Sequence, residues 1–216
     1  MNDLRSLLED SVNRVLKETL SWENLGTIEE TSWSQDLWEN LKEIGVPYLF
    51  LGENEGGING IWSDAYVVLR ACGRYAAPVP IPEAMLANWY ARQAGLTLPE
   101  DTWAVIDNEM EWPAVDKVAF QDLSVPWGRR VKNILAIDSD ELKLIELENA
   151  CISEKENIGR DPRDLISGTG NLINSAKLNL VPDSYLYLGA LIRSAQISGA
   201  ASMAFDLAIT YSADRE

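Results

Sequence analysis

The closing segment, Tyr185 to Glu216, constrains the fold most. It reads YLYLGALIRSAQISGAASMAFDLAITYSADRE, without proline and without a glycine or asparagine placed as a C-cap. A helix of about thirty residues is roughly 45 Å long. This one is apolar or small around most of its circumference, and such helices are buried inside larger helical assemblies. The expectation is that a partner chain covers it, or that a longer protein continues past Glu216 to bury it.

Composition narrows the rest. A net charge of −16 argues against nucleic acid and anionic membrane surfaces, which reward basic patches. The chain has no histidine, which removes Ser-His-Asp and Cys-His catalysis and every His-ligated metal site. Cys72 and Cys151 lie far apart, as reduced thiols of a cytoplasmic protein do, and Cys72 sits on an apolar helical face, where packing explains it. The start, MNDLRSLLED, lacks the basic and apolar run of a signal peptide. No stretch has the uncharged length of a membrane span; even the last helix carries Arg193, Gln196 and Asp206.

The hydrophobic period changes twice. Residues 1–100 read as a helical domain. Leu4, Leu7, Leu8, Val12, Val15, Leu16 and Leu20 recur at helical spacing. Ser32 and Gln35 resemble a capping box before Leu37, Trp38, Leu41 and Ile44. Gly45-Val46-Pro47 ends that helix, and Gly52 to Gly57 is a turn-rich loop. A third helix presents Ile61, Ala65, Val68, Leu69 and Cys72, and Pro82 opens a fourth. Residues 101–183 read as a β domain. Its clearest runs are 102–106, 133–137 and 141–147, the last alternating as a half-buried strand. Asp138-Ser139-Asp140 signals a hairpin between the latter two. The fold class is therefore α+β: a helical domain, a small antiparallel sandwich or barrel, and, from 184 to 216, the first helix of a C-terminal bundle.

Few residues point to chemistry alone. The 52–57 loop lacks the Lys-Ser/Thr ending of a phosphate loop and carries Glu53 and Glu55, so it reads as a turn. The acidic pairs Glu29/Glu30, Glu109/Glu111 and Asp138/Asp140 read as solvated surface rather than acid–base or metal carboxylates. Arg129, Arg130 and Lys132 beside Trp127 form a local basic cluster, which either meets an anion or balances an acidic surface.

Four stretches together resemble the acyl-CoA dehydrogenase family. They are Trp38 to Val46, the loop Gly52 to Gly60, the helix end and connector Leu69 to Pro80, and Arg193 to Arg215 with its Arg-x-Ala and Gly199 spacing. The resemblance implies FAD and an acyl-CoA substrate. It also implies a homodimer, homotetramer or hetero-oligomer with a related subunit, and an electron-transfer partner. By the same resemblance Ala104-Val105-Ile106-Asp107 matches a flavin-contacting strand, with Ile106 where the family has a hydroxyl. Val125-Pro126-Trp127 matches a second flavin segment, again without its threonine. Arg215 matches an arginine that reaches the FAD pyrophosphate. The family's catalytic glutamate has no counterpart, so no catalytic residue is assigned. The leading expectation is an FAD-dependent acyl-CoA dehydrogenase lacking its C-terminal domain. The alternatives are a non-catalytic structural subunit of a related complex and a flavin monooxygenase or oxidase on the same fold.

Overall fold

In the computed structural model the described residues are 2–20, 33–100, 102–107, 111–181 and 183–214. They divide into two units, Pro82–Tyr185 on one hand and Met1–Ile81 with Leu186–Glu216 on the other.

The first of these joins a helix to a sheet. Helix α4 (Ile81–Ala94) buries Met85, Leu86, Ala87, Asn88, Tyr90 and Ala91, so it is covered around most of its circumference. Asn88 satisfies itself by donating to the Ala84 carbonyl at 3.0 Å. The strands are β1 (Ala104–Asp107), β2 (Glu111–Ala114), β3 (Lys117–Pro126), β4 (Asn133–Asp138), β5 (Glu141–Ser153) and β6 (Arg163–Lys177). They form one sheet in the order β1-β4-β5-β6-β3-β2. All pairs are antiparallel except β1 with β4, a parallel pairing that no local signal announces. The sheet curls far enough that Cα atoms of β1 come within 8 Å of β3, although three strands lie between them in the order. That is the partly closed, barrel-like form expected of short strands with a strong twist.

Local sequence explains the details. Asp138 pairs with Glu141 across the expected hairpin, with Ser139 left-handed at φ 57°. The alternation in β5 breaks where Leu144 and Ile145 are both buried, and the register with β6 shifts there. The extra residue is Ile173 of β6, which pairs Asn174 with Leu144 and Leu172 with Ile145; β5 keeps regular register with β4, so Leu144 and Ile145 point to opposite faces and both faces are covered there. In β4, Ile134, Leu135 and Ala136 are all buried, as in a strand covered on both faces.

The other unit is helical: α1 (Asn2–Thr19), α2 (Gln35–Glu43), α3 (Trp62–Arg74) and, from Leu186 on, α5 (Ser184–Ala213). In α1, Val12 and Leu16 are fully buried but Leu7 is exposed. Leu7 and Leu16 are nine positions apart, about two and a half turns, so they face opposite ways. Helix α2 starts after Ser34, whose hydroxyl accepts from the Leu37 N–H at 3.4 Å; the expected cap, Ser32, lies outside the described residues. Gly45 stops α2 in the left-handed region, and residues 52–57 turn as expected, with Gly57 N–H donating to the Gly52 carbonyl at 3.0 Å. Ile61 departs from the expected stripe of α3. It is the extended N-cap residue, outside the helical register, and is exposed. Cys72 is buried in that stripe, as expected.

Helix α5 packs by a narrow face, Ile192, Ala195 and Gly199. Gly73 of α3 and Gly199 let the two backbones touch: a Cβ on Gly73 would overlap the Gln196 carbonyl, and one on Gly199 the Arg70 carbonyl. Arg74 then reaches Ser202 at 3.2 Å and Asp206 at 2.7 Å. Much of the rest of α5 is exposed, including Tyr187, Ile197, Phe205 and Tyr211.

Because backbone stands where the side chain would go, Gly73→Val lowers unfolding free energy by about 3 kcal/mol or more, the upper end for overpacking. Gly189→Ala, in the same helix α5 with nothing within 4 Å of the added carbon, raises it by about 0.5–1 kcal/mol. Urea unfolding of both variants checks the contrast.

Candidate functional site

The curl of the sheet determines which candidate residues can meet. Ile106 lies on β1 opposite Ala136 of β4 and is buried. Val125 and Pro126 close β3, opposite Asp164 and Arg163 of β6. Trp127 follows in the left-handed region at φ 56°, buried, with its N–H donating to the Pro162 carbonyl at 3.0 Å. The approach of β1 to β3 brings together the two strands that carry Ile106 and Val125–Pro126, which are remote in sequence. Arg215 lies outside the described residues.

The four described side chains are covered by the chain's own atoms, Ile106 at 3% exposure, Val125 at 0% and Trp127 at 2%. None carries a hydroxyl. Ser124, the neighbouring hydroxyl on β3, accepts from Arg163 Nε at 3.2 Å. Tested against a flavin, the residues present offer apolar packing and backbone atoms of β1 and of Val125 and Pro126, while the Trp127 N–H and carbonyl are already bonded to Pro162 and Arg130. Among the described residues strand β1 ends the strand order, with no ladder partner on its outer edge, and its Val105 carbonyl accepts from the Tyr185 hydroxyl. Side-chain hydrogen bonds to the ring are what it lacks.

Arg129 of the basic cluster is already paired within the chain. Arg129 is committed to Asp164, donating from Nη2 to Oδ1 at 2.7 Å, and it also pairs with Glu154 at 2.9 Å. Asp164 is fully buried. Its oxygens also accept from the backbone N–H groups of Arg129 at 2.7 Å and Lys155 at 3.0 Å. Burial pushes its pKa up, but the Arg129 side chain and the two backbone donors outweigh that and hold the carboxyl below its ordinary range. The hydrogen bond to Asp164 in turn raises the Arg129 guanidinium.

A cavity of about 520 Å³ lies beside the end of β1. Asp107, the hairpin residues Asp138 to Asp140, Asp183, Ser184 and Tyr185 line it, with Leu178, Leu180 and Val181. Tyr185 donates from its hydroxyl to the Val105 carbonyl at 3.1 Å, and the Tyr90 and Ser184 hydroxyls lie 3.2 Å apart. Burial pushes Tyr90 up to about 12, against a smaller opposing effect of the Ser184 hydrogen bond, so it stays a neutral phenol. Four aspartates and no lysine or arginine give this cavity a negative potential that disfavours phosphate. Asp138 is neutralised in part by Lys143 at 2.6 Å. The sequence does not reveal this cavity, because Asp107, Asp140 and Asp183 come from separate segments. Among the described residues no group of three His, Cys, Asp or Glu side chains is arranged to hold a metal ion.

No family model matches the chain. The acyl-CoA dehydrogenase IpdE2 of Mycolicibacterium smegmatis is 27% identical over 222 residues, covering 100% of this chain and 66% of that protein. The chain thus spans about two thirds of that relative's length. The solved Tcur3481-Tcur3483 steroid ACAD matches with a TM-score of 0.71 and 17% identity, over 97% of this chain and 66% of that one. Butyryl-CoA dehydrogenase from Megasphaera elsdenii matches at 0.66 and 11%, over 98% and 69%. The FAD complex of PigA matches at 0.59 and 12%, over 98% and 68%. These similarities agree with the four sequence stretches: the chain has a fold similar to that of about two thirds of an acyl-CoA dehydrogenase.

Proposed function

We propose that this chain is the N-terminal and middle part of an FAD-dependent acyl-CoA dehydrogenase, acting with a C-terminal helical domain or a related subunit. On this reading residues 1–100, 101–183 and 184–216 are its helical domain, β domain and first bundle helix. The observation that carries the reading is the meeting of β1 and β3 in a fold like that of butyryl-CoA dehydrogenase. The open apolar stripe of α5 supports the further helical layer, since large exposed apolar patches mark interaction surfaces.

Bound FAD would supply hydride acceptance from the substrate β-carbon. The chain's own residues shape its place. Backbone groups of Ala104 to Asp107 and of Val125 and Pro126 hold and orient the ring, and Ile106, Val125 and Trp127 keep its surroundings dry. Arg215 is assigned to the pyrophosphate. No described residue is assigned as the base that takes the α-proton. The base is assigned to the remaining domain or to another subunit; the acyl-CoA is the substrate, and a separate electron-transfer partner reoxidises the enzyme. No described helix is long and apolar enough to cross a membrane, and we place the protein in the cytoplasm.

A second reading, a structural subunit that holds no flavin, is favoured by one observation. Ile106 and Trp127 stand where the family's hydroxyls would be, and both are covered.

One preparation separates the readings. The protein is purified with whatever subunits accompany it, and flavin is quantified by its visible absorption. Stoichiometric FAD supports the first reading; an apo chain beside a flavin-loaded partner supports the second. This chain alone, given FAD, acyl-CoA and an electron-accepting dye, is expected to show no turnover, and turnover would overturn the assignment of the base elsewhere.

A further inference from the structure

Asp164 is the one buried carboxylate among the described residues, and the chemistry proposed above does not use it. A buried charge is costly unless fully paired, and an apolar pair of similar volume often serves stability as well. Its geometry indicates another use. Asp164 stands on β6 directly opposite Val125. Its Oδ2 accepts from the Arg129 backbone N–H at 2.7 Å and from Nε at 3.1 Å, and its Oδ1 accepts from Nη2 at 2.7 Å and from the Lys155 N–H at 3.0 Å. Arg129 also donates to the Lys155 carbonyl at 3.1 Å. One carboxylate thus ties together the end of β3, the turn after it and the segment after β5.

That turn needs such a tie. Trp127 is a bulky residue in the left-handed region, a conformation that persists only when its surroundings over-determine it. Gly128 packs so closely that an added Cβ would lie 3.0 Å from the Asp164 Cβ. The Arg130 N–H closes the turn onto the Trp127 carbonyl at 2.9 Å.

We infer that Asp164 and Arg129 are positioning residues that fix the backbone of Val125 to Trp127 for contact with the flavin, an inference that rests on the flavin reading above. Charge-assisted, two-pronged pairing gives geometric definition that a hydrophobic pair does not. With hydroxyls absent from Ile106 and from Val125 to Trp127, and with the Trp127 N–H and carbonyl bonded to Pro162 and Arg130, the placement of the Val125 and Pro126 backbone carries the contact.

The test uses the protein purified with its accompanying subunits. Asp164→Asn and Arg129→Lys are compared with wild type, and Lys117→Gln, which breaks an exposed ion pair to Glu148 on the same sheet, is the control. FAD dissociation constant, visible flavin spectrum and amide hydrogen exchange over 125–131 are measured. Asp164→Asn is expected to weaken FAD binding at least tenfold, alter the spectrum and speed exchange at Trp127 to Arg129. Arg129→Lys should do the same more weakly, and Lys117→Gln should do none of these. If Asp164→Asn does not fold, Arg129→Lys decides, because it leaves a cation beside the carboxylate. Variants that lose thermal stability but keep wild-type FAD affinity and spectrum overturn the inference alone. A wild type that binds no FAD overturns the flavin reading and the inference with it.

Discussion

The curl of the sheet is the constraint on which the β unit depends. Strands β1 and β3 are separated by three strands in the ladder, yet they come together in space. Twist accumulates between neighbouring strands, and bulges add to it. The bulge in β6 opposite Leu144/Ile145 and the register shift of β3 between Phe120 and Leu123 both act on that curvature. A flat sheet of the same residues would leave β1 and β3 far apart and the unit without an enclosed core.

The helical unit meets a different constraint, the close crossing of α3 and α5. Two glycines make backbone contact, and Arg74 closes the crossing toward Ser202 and Asp206. Only a narrow face of α5 is spent on it, which leaves a long apolar stripe for other helices. The same helix is thus both a structural member of this unit and, on our reading, the surface that receives the rest of the enzyme.

Much of this was legible in the sequence because it rests on local chemistry. Helix periodicity, the glycine stop at Gly45, the Asp138–Asp140 hairpin and the change from helical to strand period are all set within a few residues. What escaped depends on distance. The parallel pairing of β1 with β4 has no local signature. Leu7 joined a stripe by count but faces away by angle, and Ile61 reads as helix yet caps it. Arg129 looked available to an anion because its partner, Asp164, lies on another strand. The candidate site was legible only through its resemblance to a family. The structure adds that Ile106, Val125 and Trp127 are buried and that the turn after Pro126 is held by one carboxylate.

Hydrogen exchange of the purified assembly, with and without added FAD, bears most directly on the central claim. The account predicts that FAD slows exchange in two separate stretches at once, 104–107 on β1 and 125–130 at the end of β3. Unchanged exchange in both stretches while FAD is bound would place the cofactor elsewhere and contradict it.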